Sequence, residues 1–288
     1  MTVAEEYLSY KNDNRLSPGN FGDRVKLQLF LRDKVELMWS EGMNFSHGGL
    51  QQNYMTGFSL GFAYYDCRPT PFCRTHCYGL PLAGVFDYNM LRLGVVTSES
   101  FRNGDSRFLS LVKAQLFRLN LPCLKIGHWG DAVPEQAPHI ARLVSAFPAT
   151  IFWWYTRRPE VATAANRLEL PNLRCYLSLD PETPYPAKEE YRYGITYLYH
   201  NDHFHEHHDS ILRDDRLVAI FSMKKGQSVE DPADAGLANH PRICIEKKWK
   251  ATRHEKGDLL CLQCQGRCNF TSELAGDALK NEERITSR

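Results

Sequence analysis

The sequence carries almost no net charge and no long apolar run. Lys and Arg number 35 and Asp and Glu 34, which leaves a formal charge of +1. A global field that draws in nucleic acid or an anionic membrane is therefore not expected, and charge does not indicate nucleic acid as a partner. No stretch reaches the roughly 20 apolar residues of a membrane-spanning helix. The opening MTVAEEYLSYKNDN is polar and acidic and lacks the apolar core of a secretion signal. These absences set the expectation of a cytoplasmic protein with no membrane partner. Internal repeats, a Gly-rich phosphate loop, a nucleophile elbow and the zinc-protease helix pattern are not expected either.

What the chain does have is cysteine, 9 in 288 residues. A chain of this length buries a full core without disulfides, and suits one large domain or one with a small appendage. In a reducing compartment, so many cysteines point to metal or redox chemistry. Cys67, Cys73 and Cys77 fall within one short segment, and Cys261, Cys264 and Cys268 within another, with Cys244 upstream. Cys123 (LPCLKI) and Cys175 (LRCYLSL) stand in apolar runs and read as buried, inert thiols.

Residues 1–55 read as a polar entry segment, and 22–39 fit either a strand pair or a helix. From residue 56 the pattern alternates. FSLGFAYY (58–65) reads as strand and 106–119 as helix. LPCLKIGHWGD is a strand and turn, 135–147 a helix, and ATIFWWYT (149–156) a strand buried on both faces. RRPEVATAANRL is a helix opened by Pro159; 172–180, GITYLYH and 215–223 are further strands. Such alternation implies parallel βα units. The expected fold is α/β: a TIM-type, partial barrel over 56–239, a small Cys-rich module over 240–272 and a polar tail over 273–288. An open doubly wound sheet is the alternative. Reactive side chains gather after successive strands: the first cysteines, then His128 and Asp131, Thr156 and Arg157, Ser178 and Asp180, Lys224 and Lys225. In α/β barrels that end of the strands carries the site.

The first loop, DCRPTPFCRTHCYG, is Cys-x5-Cys-x3-Cys, stiffened by Pro69 and Pro71. Three thiolates on one loop can hold three irons of a 4Fe-4S cluster and leave the fourth open. An open iron can take S-adenosylmethionine (SAM) through its amino and carboxylate groups, as in radical-SAM enzymes, whose usual cysteine spacing is different. Zinc on the three cysteines and His76 is the competing reading.

The series TGFSLGFAYYDC–x5–C–x3–CYG, FRNGDSRFLSLV, LKIGHWGD, FWWYTRRPE, LPNLRCYLSLDPE and CLQCQGRC resembles the gene-product-88 family of phage and bacterial proteins, over about 56–270. It also looks like a distant relative of radical-SAM-type barrels. The resemblance implies a cluster on Cys67, Cys73 and Cys77, with Gly130, Asp131, Thr156, Arg157, Ser178 and Asp180 lining the mouth.

Cys244, Cys261, Cys264 and Cys268 supply four thiolates, the count for a second cluster or a closed zinc site. HNDHFHEHHD places His200, His203, His205, His207 and His208 together; such a tract can bind metal, but a solvated polar loop is the simpler reading. His128 and Asp131 are the acid–base candidates. Arg157 is the better anion clamp, since Arg158, before Pro159, is expected to face solvent. Trp153 and Trp154 face opposite ways; one is expected to pack against helices, and the other either stacks on a ligand inside the barrel or, the simpler reading, packs in the core.

Two functions follow. The first is a radical-SAM-like iron–sulfur enzyme, supplied by an electron donor and acting on a small substrate or a modified macromolecule. The second is a non-catalytic zinc or iron–sulfur protein that binds a protein or nucleic-acid partner.

Overall fold

The computed structural model describes residues 1–42, 45, 49–53, 57–77, 83–199, 203 and 205–222. The chain opens with three helices, α1 (Val3–Asp13), α2 (Phe21–Arg32) and α3 (Val35–Ser40). Thr2 and Glu5 close a capping box on α1, and Asn20 caps α2; each satisfies amides that a helix start leaves open. Val3, Tyr7, Leu27, Leu31 and Met38 are buried and belong to the main core. The segment expected as a polar entry is thus helical and packed, and 22–39 takes the helical of its two readings.

A short strand β1 (Gln51–Asn53) pairs antiparallel with β2 (Gly57–Leu60). From β2 the sheet is parallel through β3 (Cys123–Ile126), β4 (Ile151–Thr156), β5 (Leu173–Leu179), β6 (Ile195–Tyr199) and β7 (Leu217–Ser222). Its strands lie in chain order without a reversal, whereas a doubly wound sheet reverses at a switch point. The first expected strand is shorter than its apolar run. Ser98 and Gln28 side chains accept from the amides of Ala63 and Tyr64 at 2.8 and 2.5 Å, and residues 64–66 turn instead as a 3-10 helix.

The other described helices are α4 (Pro71–His76), α5 (Ala83–Asn103), α6 (Ser106–Leu119), α7 (Ala137–Ala146), α8 (Pro159–Arg167) and α9 (His208–Leu212). Asp105 caps α6, and Pro159 occupies the first turn of α8. Residues 83–103, given no assignment from the sequence, form the longest of them.

Register assigns the two faces. Leu60, Ile126, Trp154 and Cys175 form one row, in the same core as Ile140 and Val144 of α7 and Val161 and Ala165 of α8. Lys125, Trp153 and Arg174 form a row on the opposite face, with Tyr155 and Tyr176 in the next. Trp153 and Trp154 therefore point opposite ways, and both are buried. Tyr155 on β4 meets Phe221 on β7, ring centroids 5.3 Å apart. Strands three places apart in a flat sheet stand about 14 Å from each other, so the sheet curls toward this second face.

Candidate functional site

The cysteine loop hangs from the end of β2, at the edge where every parallel strand finishes. Thr70 caps α4: its hydroxyl accepts from the Cys73 amide at 3.0 Å and donates to Asp180, beyond β5, at 2.6 Å. The Phe72 amide donates to Glu182 at 2.7 Å. The helix carrying Cys73 is thus tied to the end of β5. The root of the loop is clamped separately. The Asp66 carboxylate is buried and accepts from Arg102 of α5 and Gln136. Its carbonyl accepts from Arg158, whose own amide is held by Thr156 Oγ1 at 3.1 Å. Arg158 does not face solvent as expected; it is only 6% exposed, because a backbone acceptor beside Cys67 receives its guanidinium.

The residues expected at the mouth take different parts. Asp131 accepts from the amides of Arg157 and Ala132 at 3.0 and 2.9 Å. Burial pushes its carboxyl up to about 6, against the pull of these amides, Thr156 and Arg158. Asp180 accepts from Thr70, Arg157, Thr183 and the Glu182 amide. Burial opposes its charge, but Arg157, Thr70 and Thr183 outweigh that and hold it below the usual range. Four donors use the lone-pair capacity of a carboxylate, so Asp180 organises the mouth. Arg157 lies beside both Asp180 and the Cys73 thiol; burial works against its charge and those two neighbours sustain it. His128 is buried, its ring against Trp129, and burial followed by Lys125 pushes it down to about 3. It is neutral at neutral pH, and a ring so hard to protonate is a weak base. Gly130 sits at φ +68°, where a Cβ would stand 2.2 Å from the Phe62 carbonyl oxygen. Its lack of a side chain serves this close backbone approach. Thr156 and Ser178 are buried at the strand ends.

Cys67, Cys73 and Cys77 form no disulfide, and neither do Cys123 and Cys175, which are buried as expected. Burial, then Asp131, Cys77 and Cys73, raise the Cys67 thiol well above its ordinary value. Burial raises Cys73 to about 11, with Arg157 opposing and Cys77, Asp180 and Asp131 adding. The three thiols thus share one electrostatic environment. Among the described residues no three His, Cys, Asp or Glu side chains are arranged as a metal-ion site. The donor set still fits a cationic centre: half-buried thiols close to Asp131 and Asp180 ionise with difficulty alone, and a bound cation reverses that cost. His76 stacks on Phe72 at 4.4 Å, and its Nδ1 lies 3.1 Å from the Phe72 carbonyl oxygen.

The histidine tract is not simply a solvated loop. His205 is 3% exposed; Nε2 donates to the Thr183 carbonyl at 2.7 Å and Nδ1 accepts from the His207 amide at 2.9 Å. Both nitrogens are used, so it is a packed histidine and not a ligand. His203 is exposed and packs edge-on to Phe72 of α4, at 5.7 Å. His207 is exposed and His208 rests against Tyr197 and Tyr199. His200, Lys224, Lys225, Cys244, Cys261, Cys264 and Cys268 lie outside the described residues. Sequence reasoning missed Asp66, Thr70, Arg102 and Glu182. Only Thr70 left a local signal, a capping residue directly before Pro71. The string GFSLG (57–61) has the outline of a nucleophile elbow, but Ser59 is fully buried within β2 and donates to the Gln51 carbonyl.

Fold and site together define an α/β protein with a cysteine loop poised over the C-terminal ends of six parallel strands. Residues 37–270 match the family model for gene product 88. The chain belongs to that family. No curated protein and no solved structure matches it. Among the described residues no helix is long and apolar enough to cross a membrane.

Proposed function

We propose that this protein is a radical-SAM-like iron–sulfur enzyme of the reducing cytoplasm, built on a TIM-type partial barrel. Cys67, Cys73 and Cys77 would hold a 4Fe-4S cluster. When bound, that cluster supplies an open iron for SAM and the electron that starts radical chemistry. The curl of the sheet and its unreversed strand order support the partial barrel. The observation that carries the reading is convergence: the segment that bears the cysteines is tied to Asp180 and Glu182 beyond β5 through Thr70 and Phe72, and to Arg158 beyond β4 through the Asp66 carbonyl.

The chain's own residues have separable tasks in this reading. Arg102, Gln136 and Arg158 fix the residue before Cys67. Asp180 and Glu182 fix α4. Arg157 presents positive charge beside Cys73, where an anionic group of SAM or substrate gains most. Asp131 and His128 hold or accept a proton at the mouth. Gly130, Thr156 and Ser178 complete its wall. Cys244, Cys261, Cys264 and Cys268 would hold a second cluster or zinc, and an electron donor would serve the first.

Protein purified without oxygen should be brown, carry about four irons or more per chain, and change its reduced spectrum on adding SAM. Cys73→Ala should lose one cluster and keep the fold. Colourless protein with stoichiometric zinc would instead favour a non-catalytic metal-binding protein.

A further inference from the structure

We propose that the curled face of the sheet takes the substrate, and that the substrate is a nucleotide. This names the substrate class for the function proposed above; it rests on that reading for the chemistry but not for the binding.

The floor of this face is aromatic. Tyr155 and Tyr176, paired in register on β4 and β5, lie with ring centroids 5.9 Å apart and planes at 27°. Phe221 closes on Tyr155 from β7 at 74°. All three rings are part-exposed. Two cationic side chains stand on this face. Lys125 rises from β3 on the same face, its ammonium 5.9 Å from the centre of the Tyr155 ring. Arg174 stands in the same row, across Trp153. None of the described strands contains an Asp or Glu. Thr196 faces the same way, in register with Ser178, and its hydroxyl is buried without a hydrogen-bond partner.

This combination suits a planar ring joined to a multiply charged anion. Every nucleobase presents a π-face, so stacking on tyrosine and phenylalanine tolerates any base. Lys and Arg are the ordinary partners of phosphate. A neutral ring makes no use of the two cations, and a simple anion makes none of the rings. A nucleotide uses both, either free or as one unit of a single-stranded nucleic acid.

The test is equilibrium binding to the full chain. Its ligands are 5′-mononucleotides, the matching nucleosides, inorganic phosphate, and single-stranded RNA and DNA hexamers. Mononucleotides or hexamers should bind at least about tenfold more tightly than nucleosides or phosphate. Tyr155→Leu and Lys125→Met should each weaken binding about tenfold, while Tyr155→Phe keeps it. Binding by the hexamers alone would identify nucleic acid as the source. Nucleosides binding as well as nucleotides would overturn the proposal. So would unchanged affinity in both variants, or no binding of any nucleotide form up to about 1 mM. Iron content and the response to SAM are read on the same samples. Iron without nucleotide binding sinks this inference alone, and nucleotide binding without iron sinks only the proposed function.

Discussion

His128 and Asp131 stand three residues apart at the end of β3, and burial moves them in opposite directions along the pH axis. His128 falls from 6.5 to about 3. The unfolded chain then takes up a proton that the folded chain refuses, so this histidine makes stability fall as pH drops from about 6.5 toward 3. Asp131 rises from 3.8 to about 6. The folded chain keeps a proton the unfolded chain has released, so its contribution is present below 3.8 and is lost as pH rises through 6. Between about pH 4 and 6 the two slopes oppose each other, each up to about 1.4 kcal/mol per pH unit. Asp131→Asn should therefore make reduced, metal-free protein lose stability more steeply on acidification, as read by urea unfolding from pH 4 to 7. An unaltered slope would mean Asp131 does not titrate in that window. Both residues were legible as strand-end candidates, because polar side chains after an apolar run stand out. Their protonation was not, because it depends on burial in the folded chain and, for Asp131, on Thr156, Arg157 and Arg158 at the end of β4.

At the scale of elements, the decisive piece is α4, six residues long. So short a helix does not persist on its own. It holds because Thr70 caps it and ties it to Asp180, and because Glu182 receives the Phe72 amide. Thr70→Val removes cap and tie together and should cost about 1–2 kcal/mol. Hydrogen exchange at 71–76 should quicken selectively, and Thr70→Ser should restore it; equal exchange in all three proteins would remove the tether from the account. The strong periodic helices, 106–119 above all, matched their sequence signal closely. The helix over 83–103 went unassigned from the sequence; its small and β-branched residues Gly94, Val95, Val96 and Thr97 have weak helical propensity, and tertiary packing supplies what propensity lacks. Val95 and Val96 are fully buried.

For the whole molecule, the family match begins at residue 37, yet the core begins earlier. Val3 and Tyr7 are fully buried, and the Tyr7 ring lies 5.2 Å from that of Tyr88 on α5. Removing residues 1–14 should lower the melting temperature markedly. Tyr7→Ala alone should cost about 3–5 kcal/mol, measured by denaturant unfolding. A shortened chain that melts with the full one would show that α1 is dispensable to the core.

The sequence by itself determined the alternation of strands and helices, the grouping of three cysteines after the first parallel strand and the run of polar residues at later strand ends. Each of these is written in side chains a few positions apart, where periodicity and capping operate. The tertiary structure alone decided that Arg158 turns inward to the carbonyl before Cys67, that His205 is a packed histidine and that Asp180 joins Thr70 of the loop to Arg157 and to its own turn. Thr70 and Asp180 are 110 residues apart, and no local pattern encodes a partner at that distance. Only the parallel stacking of β2 to β5 brings the two ends together.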